Sequence, residues 1–111
     1  MPSLSGVDII NNMPAELVID ERHPFPDGIS FAHIRIWKVP QPVKGSGHRY
    51  KYSLVYVVEG RCVLRYDNEW GKGDHRHWND TESPYIFTSM HQLLADFRDD
   101  ITRWRDENRT T

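Results

Sequence analysis

Cysteine is nearly missing from this chain: Cys62 is the only one in 111 residues. A single thiol can form no intrachain disulfide and no cysteine zinc site, which excludes a disulfide scaffold and a zinc-finger module. No apolar run approaches the ~20 residues of a membrane helix. The opening residues, MPSLSGVDIINNMPAEL, lack the charged start and continuous apolar stretch of a secretory signal. An excess of one charge is missing too. The chain holds 14 Lys and Arg against 16 Asp and Glu, a formal net charge of −2, so no global basic field points to nucleic acid. These absences predict a cytoplasmic protein with no membrane partner.

Aromatic residues are plentiful, at 12% with four Trp and five Tyr, and can supply much of a small core. The length suits one domain, which can bury about two thirds of its unfolded surface without staples. Residues 1–13 have no hydrophobic period and read as a loose N-terminal arm. Residues 14–108 read as a single domain.

The periodic segments predict its elements. Ala15 to Arg22 reads as a first strand, and HPFPDG (23–28) as a turn. ISFAHIRIWKV (29–39) is rich in β-branched and aromatic residues and reads as a strand with Ile34 and Ile36 inward and Phe31 and Trp37 on the other face. YKYSLVYVV (50–58) is the strongest strand signal. Glu59-Gly60 turns it into RCVLRYD (61–67), where Cys62 reads as a small core residue. Residues 68–83 read as a long loop and PYIF (84–87) as a short strand. Ser89 and Gln92 form an S-x-x-Q capping box before an apolar stripe of Met90, Leu93, Leu94, Phe97, Ile101 and Trp104. The expected fold is α+β: an antiparallel sheet of four to five strands with a C-terminal helix packed on one face.

Chemistry concentrates in YDNEWGKGDHRH, Tyr66 to His77. His75 and His77 flank Arg76, and in an extended segment i and i+2 share a side. Two imidazoles there can act as general acid and base near neutral pH. With Asp74 or Asp67 as a third ligand they can instead hold a divalent metal. Asp74 or Asp80 can orient an imidazole, and Lys72 and Arg76 can hold a phosphate. G-K-G without a following helix is too short for a nucleotide-binding loop. The plain alternative is a polar loop whose Asp and His side chains bond to the backbone.

The balance of charge also shifts locally. From Lys44 to His77 seven Lys and Arg face four acids, and Arg49 and Lys51 open the central strand beside Tyr50 and Tyr52. A basic edge that meets RNA, with a Tyr stacked on a base, competes with an ordinary solvated strand face.

KYSLVYVVEGRCVLRYDNEWGKGDHRH and the following PYIFTSMHQLLADF together resemble the TumE family of small prokaryotic toxins from two-gene toxin–antitoxin modules. The likeness runs from about residue 15 to 103 and is sharpest at Tyr66 to His77 and at Leu93 to Phe97. It implies a cytoplasmic toxin neutralised by a cognate antitoxin protein. Taken with the residues, it gives an expected metal-independent endoribonuclease with no cofactor. His75 and His77 would exchange protons, Asp74 and Tyr66 would assist, and Lys72, Lys51, Arg76 and Arg49 would hold RNA. Two alternatives stand beside it. One is a non-catalytic interaction module, whose face with Phe31 and Trp37 meets a partner protein or a second copy of the chain. The other is a hydrolase with a metal on His75, His77 and Asp74.

Overall fold

The computed structural model describes residues 7–10 and 12–108. Among these, seven strands precede one helix: β1 (Val7–Ile10), β2 (Met13–Pro24), β3 (Ser30–Lys38), β4 (Tyr50–Val58), β5 (Arg61–Glu69), β6 (Gly73–Trp78), β7 (Thr81–Pro84) and α1 (Met90–Glu107). The strands form one sheet in chain order, every neighbouring pair antiparallel. The architecture is α+β as expected, but the sheet has seven strands rather than four to five.

The extra strands come from segments whose sequence hides them. Residues 68–83 are not a long loop. β5 runs on to Glu69, and β6 and β7 follow as a hairpin through Asn79, whose φ of 51° suits the tight turn. No hydrophobic alternation marks β6, because both of its faces carry polar residues. PYIF is not a strand either: β7 ends at Pro84, and the chain continues irregularly to the helix. At the other end, residues 7–10, within the expected loose arm, pair with β2 from Val7↔Glu16 to Ile10↔Met13. Trp37 Nε1 donates to Asp8 at 2.9 Å, and Ile10 and Met13 pack on Ala15, Val39 and Val43. Residues 1–6 of that arm lie outside the described residues.

The core lies between α1 and the middle of the sheet. Tyr52, Leu54 and Tyr56 of β4 pair with Ile36, Ile34 and Ala32 of β3, and all six are buried. Leu64 and Tyr66 extend this surface on β5, and Leu93, Phe97 and Ile101 of α1 cover it. Burying each large apolar side chain is worth roughly 1.5–3 kcal/mol. At the β4–β5 turn Glu59 and Gly60 both have positive φ, 50° and 77°, the pair of angles that matches the twist of a two-residue hairpin. A bulge between Tyr56 and Val57 then changes the pleat of β5. Val63 and Leu64 are both buried, and Cys62 is exposed rather than a core residue.

α1 begins where the sequence predicts. Ser89 is its N-cap, and its Oγ accepts from the Gln92 backbone N–H at 3.0 Å. Only this half of the capping box forms, because the Gln92 side chain turns to Asp96 at 2.8 Å. Ser89→Ala is therefore expected to cost about 1 kcal/mol, the usual value for a lost cap. Thermal unfolding should register it as a fall of ~4 °C, and an unchanged midpoint would mean the cap contributes nothing. No helix among the described residues is long and apolar enough to cross a membrane.

Candidate functional site

Because β6 is a strand, its side chains alternate, and the D-H-R-H run divides between the two faces of the sheet. Asp74 and Arg76 turn toward α1. His75 and His77 turn to the opposite face, over which no helix lies among the described residues.

On the helix side, Arg76 makes a forked ion pair with Asp100 of α1. Nε to Oδ2 is 2.6 Å and Nη2 to Oδ1 is 3.0 Å. The Tyr66 hydroxyl donates to the same carboxylate at 2.7 Å and accepts from Arg76 Nε at 3.2 Å. Burial and then the bond to Asp100 push the Tyr66 phenol well above its ordinary value. The bond to Asp100 raises the Arg76 guanidinium in turn, against the opposing effect of burial. Both groups, expected to assist catalysis and to hold RNA, thus tie the helix to the sheet. Asp100 is the partner that sequence reading missed. Its signal was its place on the apolar stripe, three residues from Phe97 and four from Trp104.

Asp74 also finds a partner other than the expected one. Its Oδ2 accepts from Tyr52 Oη at 2.6 Å and lies 2.7 Å from His48 Nε2. His48 Nδ1 accepts from the Tyr50 backbone N–H at 3.1 Å, so Nε2 carries the proton and donates to Asp74. With both ring nitrogens engaged and the ring stacked on Phe87 at 3.8 Å, His48 is a strut for the loop before β4. The glycines of G-K-G serve the same junction. Gly71 N–H donates to Lys44 O at 2.7 Å, and a Cβ on Gly73 would lie 2.7 Å from Gly45 O. The turn is a docking joint between two loops.

Burial raises the Asp74 carboxyl, but hydrogen bonds from His48, Ser46 and Tyr52 outweigh it and leave the group below its ordinary 3.8. A depressed folded value means stability that is complete above the unfolded value and lost as the pH falls through the folded one. Asp74→Asn is expected to cost about 2 kcal/mol at neutral pH, where charge-assisted bonds are lost. That difference should shrink in urea titrations repeated below about pH 4. A difference independent of pH would show that the carboxylate charge is not what holds this junction.

The open face carries a different group. His75 and His77 are each about one-fifth exposed, at 19% and 20% of their side chains. His77 Nε2 lies 3.7 Å from Asp67 Oδ1, and Arg65 Nε lies 3.4 Å from Asp67 Oδ2. His75 Nε2 is 3.7 Å from Glu82 Oε1. Strand alternation adds Lys51 and Ser53 of β4 and His33 and Arg35 of β3 to this face. The Lys51 amine bonds to Asn68 O, and burial pulls its pKa down while Asp67, Glu69 and Asp74 oppose the shift. Asp67 and Glu82, not Asp74, are the carboxylates that lie beside these histidines. The sequence offered Asp67 only as an alternative third metal ligand; the pairing of β5 and β6, which sets Asp67 opposite His75, is what puts it on the face of the histidines.

The remaining expected residues are scattered. Lys72 sits at the exposed β5–β6 turn, 3.4 Å from Glu69. Arg49 lies with Pro14, Glu16 and Lys38 around a hollow of about 270 Å³, away from the histidines. The proposed metal set of His75, His77 and Asp74 does not converge, because alternation puts Asp74 on the other face. Among the described residues no group of three His, Cys, Asp or Glu is arranged to hold a metal ion. Trp78 packs against the core with Arg103 stacked 4.0 Å from its ring, and Trp70 stays 43% exposed.

No curated protein and no solved structure matches the chain. The family described as Toxin TumE matches residues 10–105, which include every strand from β2 on and nearly all of α1. A match over that span means that the chain belongs to the TumE toxin family.

Proposed function

We propose that this chain is the toxin of a toxin–antitoxin module and acts as a metal-independent endoribonuclease from the open face of its sheet. The observation that carries the reading is the pair His75 and His77, side by side on that face, with Asp67 beside His77 and the cations Arg65 and Lys51 on neighbouring strands. His77 takes the proton of a ribose 2′-hydroxyl. The 2′-oxygen forms a bond to the adjacent phosphorus, the bond from phosphorus to the 5′-oxygen breaks, and protonated His75 gives its proton to that oxygen. The products are a 2′,3′-cyclic phosphate and a 5′-hydroxyl. Asp67, 3.7 Å from His77 Nε2, orients the His77 ring on this face. Lys51 and Arg65 offset the charge that builds on the phosphate oxygens. The gaps of 3.7 Å suit a free enzyme whose catalytic bonds tighten on substrate. A cognate antitoxin would block this face or hold it away from RNA.

Expression of the chain without an antitoxin is expected to stop growth and degrade cellular RNA. The His75→Ala/His77→Ala variant should keep its unfolding midpoint and lose cleavage by about 10²–10⁴-fold. A folded double variant that remains fully toxic would remove the histidines from the mechanism. A soluble wild-type chain that leaves growth and RNA intact would favour the interaction module.

A further inference from the structure

The open face does not end at the histidines. On β3, three strands away, two aromatic rings stand on the same side, and each has a guanidinium laid over it. Arg22 of β2 lies 3.6 Å from the Phe31 ring centre, and Arg35 lies 4.7 Å from that of Trp37. Register sets them in rows with the reactive group. Arg35 is opposite Ser53, Ser53 opposite Asp67, and Asp67 opposite His75. His33, Val55, Arg65 and His77 form the next row. Asp20 steadies the far edge, 2.8 Å from His33 Nε2 and 3.8 Å from Arg35 Nε.

A guanidinium stacked on a ring keeps its outer plane free, and unpaired bases stack on such planes and on aromatic rings. A base within a duplex has no free face to offer. The face also lacks the dense basic charge that duplex backbones attract, since Asp20, Asp67 and Glu82 alternate with its cations.

From these rows we infer that the substrate is single-stranded RNA lying across β6 to β3, with its scissile phosphate at His75 and His77 and the flanking bases stacked on the Arg35–Trp37 and Arg22–Phe31 pairs; this rests on the endoribonuclease reading. Three strand spacings make about 14 Å. At roughly 3.4 Å per stacked nucleotide the strand reaches β3 within about four nucleotides of the cut.

The probe is a dye-labelled single-stranded oligouridylate of eight nucleotides, titrated by fluorescence anisotropy against the His75→Ala/His77→Ala chain so that nothing is cut. A self-complementary RNA duplex of equal length is the comparison. The single strand should bind at least ~10-fold more tightly than the duplex. Arg22→Lys/Arg35→Lys, which keeps the charge and loses the planar stack, should weaken the single strand by ~10-fold or more, given the usual worth of one stacked base. Unchanged unfolding midpoints confirm the fold of each variant. Equal affinity for the Lys variant, a preference for duplex, or no binding overturns the inference. Cleavage by the wild-type background then separates the two readings. A diribonucleotide reaches only the histidines, so its cleavage should survive the Lys changes while cleavage of the eight-mer falls. If both substrates are cut equally well by the Lys variant, the platform is wrong and the histidine mechanism stands.

Discussion

Arg76→Ala is expected to lower stability by about 3–5 kcal/mol, because it leaves the Asp100 carboxylate buried and without its cation. Asp100 is 8% exposed, and Arg76 is the cation that fills its fork. For a chain of this size the unfolding midpoint should fall by more than ~10 °C. Arg76→Lys should rescue little, since an ammonium cannot reproduce the two-pronged contact. Toxicity should vanish with the fold, which by itself would mimic the loss of an RNA contact. The network replaced as a whole, Arg76→Met with Asp100→Leu and Tyr66→Phe, separates the two. An apolar set of similar volume is often neutral to stability, so this triple variant should regain most of the midpoint. If it also regains toxicity, Arg76 is an anchor for α1 and no more. A triple variant that is folded and inactive would return Arg76 to the list of groups that touch RNA.

Gly73→Ala is expected to cost more than ~3 kcal/mol. Its φ of 83° alone costs an L-residue roughly 1–2 kcal/mol, and the added Cβ would press to 2.7 Å on the backbone oxygen of Gly45. That oxygen belongs to a loop held by the Lys44 carbonyl and by Asp74, so it has little room to give. The neighbouring glycine is the control. Gly71 has φ 88° but open space around its Cβ direction, so Gly71→Ala should cost only the backbone strain, about 1–2 kcal/mol. Lys72 between them is 70% exposed, with its amine 3.4 Å from Glu69, so Lys72→Ala should stay within about 0.5 kcal/mol. Urea unfolding of the three variants orders them. If Lys72→Ala destroys activity at unchanged stability, G-K-G handles phosphate after all. If Gly73→Ala is as stable as the parent, the two loops do not meet as closely as this joint requires.

The consequence for the whole motif is a division of labour along one strand. Asp74 and Arg76 hold the scaffold, through the loop before β4 and through α1. His75 and His77 are presented by that scaffold to the open face. Disturbing either of the first two is expected to move the histidines as well, so activity alone cannot assign roles here. Stability must be read beside it.

What the sequence determined by itself was everything written in short-range pattern. The β3, β4 and β5 strands were legible from β-branched and aromatic alternation, the Glu59-Gly60 hairpin from its two turn residues, and α1 with its Ser89 cap from an apolar stripe of period 3.6. The family was legible too, from Tyr66 to His77 and Leu93 to Phe97. β6 and β7 were not, because a strand whose inward residues are Asp74 and Arg76 shows no hydrophobic period. Burial there is balanced by partners 24 to 26 residues away along the chain, His48 and Asp100. Only the tertiary structure could supply those partners, and with them the sorting of neighbours onto opposite faces. A loop can gather Asp74, His75, Arg76 and His77 around one point, whereas a pleated strand must separate them. Register then brings Asp67, eight residues before His75, to the face where the histidines are. Which acid stands by which histidine is a property of strand pairing, and pairing is decided by the packing of the whole sheet.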